Sequence, residues 1–143
     1  MVKLTPAEPN EIQNGLRQSL KQWQSGVTLE PNALVLKGYE DDELIAVVIL
    51  KFHLDGSAEP YGTAEIEKIV WKNRTKALAD KELCFIIGNG ILNFIDRRGI
   101  RMVYCCDMEN KSILSLLRFE YDKESDRFCL DLTGYFEHKC GGG

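Results

Sequence analysis

The chain has 143 residues, of which 44% are hydrophobic and 28% are charged, as in an ordinary globular protein with one hydrophobic core. Its formal net charge of -4 gives no general attraction to nucleic acid, and no apolar run reaches the roughly 20 residues that span a bilayer. We therefore expect neither a nucleic-acid nor a membrane partner, and because the first residues contain no apolar signal core we expect a cytoplasmic location.

The first half of the chain predicts one helix among several strands. "VKL" predicts a short opening strand, and the helical spacing of Ile12, Leu16, Leu20 and Trp23 predicts an amphipathic helix from Pro9 to Gln24. "NALVLKGY" and "DDELIAVVILKFHLDG" predict two strands joined by a turn at "YEDDE", and the second is apolar on both faces, which indicates a central strand. "GTAEIEKIVWK" predicts the next strand, after a turn at "DGSAEPYG".

The second half predicts a long helix, a strand, a short helix and a hairpin. "ELCFIIGNGILNFIDRRG" carries an apolar helical stripe. Gly88 and Gly90 inside it each cost roughly 1 kcal/mol relative to Ala, so we expect them to allow close packing on the sheet. "IRMVYCC" predicts a strand, "DMENKSILSLLRF" a short helix, and "FEYDKESDRFCLDLTGYF" a closing hairpin. This order of elements predicts an α/β fold in which a mixed sheet is flanked by helices.

The five cysteines point to neither a metal site nor a disulfide framework, because their number is odd and none forms a CxxC pair. Cys84, Cys105, Cys106 and Cys129 lie among apolar residues, which indicates small buried hydrophobic side chains. Cys140 lies in the polar tail "EHKCGGG". We therefore predict no metal.

Three segments resemble the GNAT superfamily of acyl-CoA-dependent N-acyltransferases. "TAEIEKIVWKNR" is similar to the family's fourth strand, and "GILNFIDRRGIRMVYC" to the end of the following helix and the fifth strand. "ENKSILSLLRFEYDKESDRFCLDLTGYF" is similar to the family's Asn-initiated helix and closing strands. The resemblance implies one GNAT-like domain over residues 1–136 and a flexible tail over residues 137–143. It also implies a mixed, mostly antiparallel sheet of about six or seven strands, with a V-shaped split between strands 4 and 5.

In the stretch "WKNRTKALADKELCFIIGNG" a loop with basic residues and no glycine is predicted to join the fourth strand to the long helix, where the family holds acyl-CoA. The family's motif there is Gln/Arg-x-x-Gly-x-Gly/Ala, because glycines let the backbone approach a pyrophosphate at a helix N-terminus. Counted forward from the strand, the motif falls on "RTKALA", which keeps Arg74 and the small Ala79 but not the middle glycine. Counted back from "NFIDRRG", it falls on "ADKELC", which keeps none of the motif. Arg74 and Lys76 can add contacts to phosphate, whereas Asp80 and Glu82 compete with an anion for the positive end of the helix. The alternative is that Asp80 simply caps a helix in a protein that binds no CoA.

Acyl transfer to an amine needs a donor to the thioester carbonyl, a base for the amine and an acid for the leaving thiolate. The resemblance implies that a backbone N–H near Ile69 to Trp71 polarises the carbonyl, and that Glu65 or Glu67 is the catalytic base. Strand alternation puts both glutamates on the face of Ile69 and Trp71, although a solvated strand residue is the alternative for each. In the family a Tyr often acts as the general acid that protonates the leaving thiolate, and at its position this chain has Leu114.

The resemblance implies acetyl-CoA, or another acyl-CoA, as the cofactor. Its expected contacts are Val70, Trp71, Arg74, Lys76, Ala79 and Asn110. Asn110 matches the family's helix-starting Asn, and its alternative role is an N-cap. Two functions stay open. One is an N-acetyltransferase that acts on an unidentified small-molecule or peptide amine, and the other is a catalytically inactive GNAT-fold binding or interaction module.

The end of the chain offers a surface for a homodimer. Tyr135 and Phe136 lie near the terminus, and the closing hairpin is expected at or near a sheet edge, where backbone groups are available for pairing. A two-fold partner can cover both features. Alternatively, the two aromatic rings fold back over the first helix of the same chain.

Overall fold

The computed structural model describes residues 1–30, 33–54 and 62–136. These residues form a seven-stranded sheet in the order β1-β2-β3-β4-β5-β7-β6. Its strands are β1 (Val2–Pro6), β2 (Leu34–Glu40), β3 (Glu43–His53), β4 (Thr63–Trp71), β5 (Met102–Cys105), β6 (Glu120–Asp122) and β7 (Arg127–Asp131). Neighbouring strands are antiparallel except β4 and β5, which run parallel. The mixed, mostly antiparallel sheet predicted from the sequence is confirmed.

The described residues also form five α-helical segments. They are α1 (Pro9–Glu11), α2 (Arg17–Trp23), α3 (Arg74–Ala79), α4 (Lys81–Asp96) and α5 (Lys111–Leu116). A π-helical turn over Ile12–Leu16 joins α1 to α2, so the predicted first helix is confirmed with that turn inside it. The loop predicted between the fourth strand and the long helix is wrong, because Arg74–Ala79 forms α3. No helix in the described ranges is long and apolar enough to cross a membrane.

The sheet carries a hydrophobic core on each face. On one face α4 and α5 cover a large cluster that includes Ile66 and Ile87, and on the other the π-helical turn and α2 cover a smaller cluster that includes Leu20, Val47 and Val70. Each such side chain contributes roughly 1.5–3 kcal/mol when it is fully buried. Because helices cover both faces, β3 lies between two strands and two cores, which confirms the predicted central strand.

Gly88 and Gly90 lie where α4 makes close contacts. A Cβ at Gly88 would lie 2.6 Å from Leu117 Cδ1, and one at Gly90 would lie 3.1 Å from Leu4 Cδ2. Gly90 therefore allows α4 to approach β1, as predicted. The predicted contact with the sheet is wrong for Gly88, which instead faces Leu117, the residue that follows α5.

β4 is longer than its parallel neighbour, and this opens a split in the sheet. β5 pairs with β4 only from Thr63, opposite Met102, to Ile66, opposite Cys105. Residues 67–71 of β4 therefore have β3 on one side and, among the described residues, no strand on the other. The predicted V-shaped split between the fourth and fifth strands is confirmed.

A β-bulge at Glu67 changes which side chains share a face of β4. The ladder with β3 pairs the residues on either side of Glu67 and leaves Glu67 out. Ile66 and Ile69 consequently both pack in the core beneath α4, although regular alternation would separate them. The predicted common face of Glu65, Glu67, Ile69 and Trp71 is wrong, because Glu65 lies opposite Ile66 and the bulge interrupts the alternation after it.

The C-terminal aromatic rings pack on their own chain. The Tyr135 hydroxyl donates to Leu117 O at 3.2 Å, and both Tyr135 and Phe136 contact the core beneath α4. The rings therefore fold back onto the end of α5 rather than onto the first helix, and the homodimer stays a prediction. The predicted flexible tail over residues 137–143, with Cys140, lies outside the described residues, as does most of the turn at "DGSAEPYG".

Candidate functional site

The unpaired end of β4 turns part of its backbone into the split. Lys72 N donates to Ile45 O of β3 at 2.8 Å, and Val70 is paired with the same strand. In an antiparallel ladder the backbone groups of alternate residues point to the same neighbour. The N–H and C=O groups of Ile69 and Trp71 therefore point away from β3 and into the split, whereas those of Val70 point towards β3.

Two buried side chains bind the backbone of Ile69 inside the split. Asp107 Oδ2 accepts a hydrogen bond from Ile69 N at 3.1 Å, and Asn110 Nδ2 donates to Ile69 O at 3.0 Å. Asn110 Nδ2 also donates to Asp107 Oδ2 at 2.8 Å, so the two side chains hold each other. Asp107 is 4% exposed and Asn110 is 1% exposed. The pair satisfies the backbone of β4 where a neighbouring strand would otherwise do so.

Trp71 and Lys68 complete the surroundings of this pair. Trp71 Nε1 donates to Asn110 Oδ1 at 2.8 Å, so the Asn110 amide is bonded at both ends. Asp107 Oδ1 is buried and has no hydrogen-bond partner among the described residues, and Lys68 Nζ lies 3.8 Å from it. No hydrogen bond compensates this buried carboxylate oxygen for its lost hydration, so part of the free-energy cost of burying it remains. The apex of the split is therefore a polar network that is incompletely satisfied.

Cys105 ends β5 beside this network. Asp107 N donates to Cys105 Sγ at 3.4 Å, and burial raises the pKa of the Cys105 thiol to about 12. A thiol with this pKa is protonated at neutral pH, so Cys105 is not an activated nucleophile. The chemical groups that the split offers are backbone amides, a carboxylate and a carboxamide.

An open cavity of about 450 Å³ lies beside the bulge in β4. Glu67 lines it together with the charged residues Glu30 and Lys51. β-Bulges commonly re-aim a side chain next to an active site. Because the lining has two carboxylates and one ammonium group, its charge favours a cationic amine. The other lining residues are Thr28, Ala33, Leu34, Ile49, Leu50 and Phe52.

The segment after β4 is helical and capped by its own side chains. Asn73 Oδ1 accepts from Lys76 N at 3.1 Å at the start of α3, and Asp80 Oδ1 accepts from Leu83 N at 3.1 Å at the start of α4. Both contacts are N-caps. The Asp80 carboxylate thereby takes the place where the helix dipole favours an anion, which agrees with the capping role that the sequence left open for Asp80.

Two cations of this segment are bound to glutamates. Arg74 Nη1 lies 3.0 Å from Glu109 Oε2, which also accepts from Gln24 Nε2 at 3.2 Å. Lys72 Nζ lies 2.8 Å from Glu43 Oε2, and this hydrogen bond lowers the pKa of the Glu43 carboxyl group. All of these side chains are at least partly exposed, so each pair is weak by itself. Their consequence is electrostatic: glutamates already neutralise these two positive charges.

Acyl-CoA fits one part of this site and not the other. The split presents the strand-edge backbone of Ile69 and Trp71, and a strand edge pairs with amide groups such as those of a pantetheine arm. At Ile69 the arm would replace side chains that hold the backbone now. The segment after β4 does not fit a pyrophosphate, because it has no glycine before Gly88 and the Asp80 carboxylate occupies the start of α4.

The predicted donor contacts fall into two groups. Trp71 and Asn110 are hydrogen-bonded to each other at the split. Three other predicted contacts of the acyl donor lie on α3, and they are Arg74, Lys76 and Ala79. The structure does not bring Val70 to the split, because its backbone pairs with β3 and its side chain lies beneath α2.

The two predicted bases also separate. Glu67 lines the cavity, whereas Glu65 Oε2 lies 3.9 Å from His53 Nε2 near the start of β4. Sequence reasoning misses Asp107 altogether, although one signal could have found it. Asp107 lies two residues after the end of β5, at the edge where the carboxyl ends of two parallel strands meet and ligands commonly bind.

No protein-family model and no curated protein matches the sequence. Solved structures match over most of the chain. Aminoglycoside acetyltransferase AAC(6')-Ib in complex with paromomycin and acetyl-CoA is 12% identical, with a TM-score of 0.66 over 95% of this chain and 96% of that chain. An aminoglycoside N(6')-acetyltransferase from Legionella pneumophila is 11% identical, with a TM-score of 0.61 over 96% of this chain and 95% of that chain.

An acetyltransferase of the GNAT family from Streptococcus pneumoniae is 12% identical, with a TM-score of 0.61 over 85% of this chain and 86% of that chain. At these identities the likeness concerns the fold. This chain therefore has the GNAT fold, and in it β4 and β5 form the parallel pair with the split beyond it.

Proposed function

We propose that this protein is an N-acyltransferase that passes an acyl group from a thioester to an amine held beside Glu67. The observation that carries the proposal is the bulge in β4. It puts the Glu67 carboxylate into the wall of a cavity at the first residue after β4 leaves β5. The fold adds support, because AAC(6')-Ib binds acetyl-CoA and aminoglycosides carry amines.

Three groups of this chain have a task in the proposal. Glu67 accepts the proton that the amine loses as it attacks. Glu30, in the same cavity wall, attracts the ammonium form of the acceptor. Ile69 N–H is the hydrogen-bond donor to the reacting carbonyl, for which Asp107 first has to release it. Acetyl-CoA, the donor that the resemblance implies, would supply the activated acyl group, and as its C–S bond breaks the thiolate would take a proton from water and leave as the free thiol.

The second candidate is a binding or interaction module without catalysis. A specific observation favours it: the Asp107 carboxylate occupies the Ile69 N–H and brings negative charge to the place where a carbonyl oxygen needs a donor. Leu114 stands at the position of the tyrosine that acts as general acid in the family, and it supplies no proton to the leaving thiolate. In this candidate the cavity at Glu67 binds a cationic group and releases it unchanged.

Thiol release from acetyl-CoA in the presence of polyamines, aminoglycosides and short peptides separates the two candidates. For the active acceptor we expect Glu67→Gln to lower kcat/KM by roughly 100-fold or more. Glu65→Gln tests the other predicted base, and Glu120→Gln, on the exposed edge strand, is a control expected to be unchanged. Unchanged turnover in Glu67→Gln would remove Glu67 from the reaction. If no amine is acylated and acetyl-CoA shows no saturable binding at millimolar concentration, the result would support the second candidate, the module without catalysis.

A further inference from the structure

We infer that the acyl donor is held through its pantetheine arm alone, and that the nucleotide diphosphate of CoA adds nothing to its affinity. The donor class is then an acyl thioester on a pantetheine arm, either free or carried on a protein. This inference rests on the proposed function, since it names the donor of that reaction. It starts from the misfit between the segment after β4 and a pyrophosphate.

The first step concerns the backbone N–H groups at the starts of α3 and α4. A pyrophosphate is bound by backbone N–H groups at a helix start, and here the two helix starts already have acceptors. Asn73 Oδ1 accepts from the first turn of α3, and Asp80 Oδ1 accepts from the first turn of α4. A phosphate would have to displace a carboxylate that is covalently tethered at the same position, and displacement of one anion by another gains little.

The second step is the charge around the same segment. A cavity of about 320 Å³ lies there, and its lining includes the carboxylates of Glu40, Glu43 and Asp80 against the ammonium groups of Lys72 and Lys76. Lys72 is bound to Glu43 at 2.8 Å. The 3'-phosphate and pyrophosphate of CoA together carry about four negative charges, and like charges a few ångströms apart repel. The lining therefore opposes the nucleotide part of CoA.

The third step is what the split does offer. Ile69 and Trp71 turn backbone groups into the split along a part of β4 that no strand among the described residues covers, and those of Ile69 are bonded to Asp107 and Asn110. Pantetheine has two amides and no charge. The carboxylates that oppose a polyanion do not oppose a neutral arm. The Asn110 amide and the Ile69 backbone are partners that such an arm can take over one hydrogen bond at a time.

Calorimetric titration with acetyl-pantetheine and with acetyl-CoA tests the inference. We expect the two dissociation constants to agree within threefold, because the shared arm makes the contacts. A dissociation constant for acetyl-CoA at least tenfold lower than that for acetyl-pantetheine would overturn the inference and leave the proposed function intact. Failure of both to bind at millimolar concentration would overturn the inference and the proposed function together.

A variant sharpens the same test. Asp80→Asn keeps an N-cap but removes the charge at the start of α4, so we expect acetyl-CoA to bind severalfold tighter and acetyl-pantetheine to bind unchanged. Glu120→Gln is the control for loss of one surface charge elsewhere. Weaker acetyl-CoA binding by Asp80→Asn would contradict the inference. An acetylated carrier protein as a third ligand distinguishes the sources: at least tenfold tighter binding than acetyl-pantetheine supports a protein-borne arm, and equal binding supports a free thioester.

Discussion

The two ends of the split are closed by similar groups in different surroundings. At the apex, Asp107 and Asn110 hold Ile69 where both side chains are at most 4% exposed. The other end, which we call the mouth, comprises α3 with Arg74 and the start of α4 at Asp80. There the side chains of the Arg74–Glu109 pair are 51% and 46% exposed. Water cannot replace the partner of a buried carboxylate, whereas an exposed ion pair exchanges with solvent at little cost. The apex therefore stabilises the fold and the mouth mainly sets the local charge.

This difference decides what each end can exchange for a ligand. A ligand opens the mouth at little cost but gains little there, because Asp80 remains at the start of α4. At the apex a ligand has to supply hydrogen bonds that replace those of Asp107 and Asn110. Neutral amide groups can do so, and this is why the two ends favour an arm over a phosphate.

The largest effect is expected at the apex. Asp107→Ala leaves Ile69 N–H and the Asn110 amide without their shared acceptor, so we expect the free energy of unfolding to fall by about 3 kcal/mol in urea denaturation. Asp107→Asn keeps an acceptor oxygen and should cost about 1 kcal/mol. A loss below 1 kcal/mol for Asp107→Ala would mean that the buried Oδ1 already cancels the benefit, and the apex would then not be the stabilising end.

Trp71→Phe tests the outer part of the apex. It removes the indole N–H that Asn110 Oδ1 accepts and leaves a small void in the core, so we expect a loss of about 2 kcal/mol. Trp23→Phe is the matched control, because Trp23 is only half-buried on the other face of the sheet. Equal losses in the two variants would show that ring size, and not the hydrogen bond to Asn110, sets the effect.

The contrast between the ends also explains what the sequence could predict. Strand and helix periodicity, with glycine and charge at the element ends, is local, and it was enough for the element order and for the central place of β3. The resemblance adds the V-shaped split between β4 and β5. The hydrogen bond of Asp107 to Ile69 joins residues 38 apart, and no local pattern encodes such a contact.

Two other failures have local physical causes. The bulge at Glu67 adds one residue to β4, and that single insertion moves Ile69 and Trp71 to the face opposite Glu65. Nothing in "TAEIEKIVWK" marks it, because no glycine or proline stands there. The place of the α3 segment between strand and helix predicts a loop, yet "RTKALA" consists mostly of good helix formers with an Asn73 cap before them.

Asp80→Ala tests how much the N-cap of α4, at the mouth of the split, contributes to stability. It removes the cap of α4, so we expect a loss of about 1 kcal/mol and a fall in Tm of roughly 3 °C by calorimetry. Asp80→Asn should stay within a few tenths of a kcal/mol of the wild type, because Asn caps as well as Asp. A loss from Asp80→Ala as large as that from Asp107→Ala would erase the difference between the two ends.

Arg74→Ala is expected to have the smallest effect of all. Its partner Glu109 is about half exposed, and exposed ion pairs contribute roughly 0–1 kcal/mol, so we expect the free energy of unfolding to change by less than about 0.5 kcal/mol. A double-mutant cycle with Glu109→Ala isolates the pair, and Lys111→Ala, an exposed cation on α5, is the control.

The Arg74→Ala variant also measures the role of Arg74 in binding the acyl donor. A phosphate contact would make Arg74→Ala weaken acetyl-CoA by about tenfold, which is about 1.4 kcal/mol. A donor held by its arm alone predicts no change for either acetyl-CoA or acetyl-pantetheine. Tenfold weaker binding of acetyl-CoA with unchanged acetyl-pantetheine would show that the mouth does bind phosphate and that Arg74 leaves Glu109 to do so.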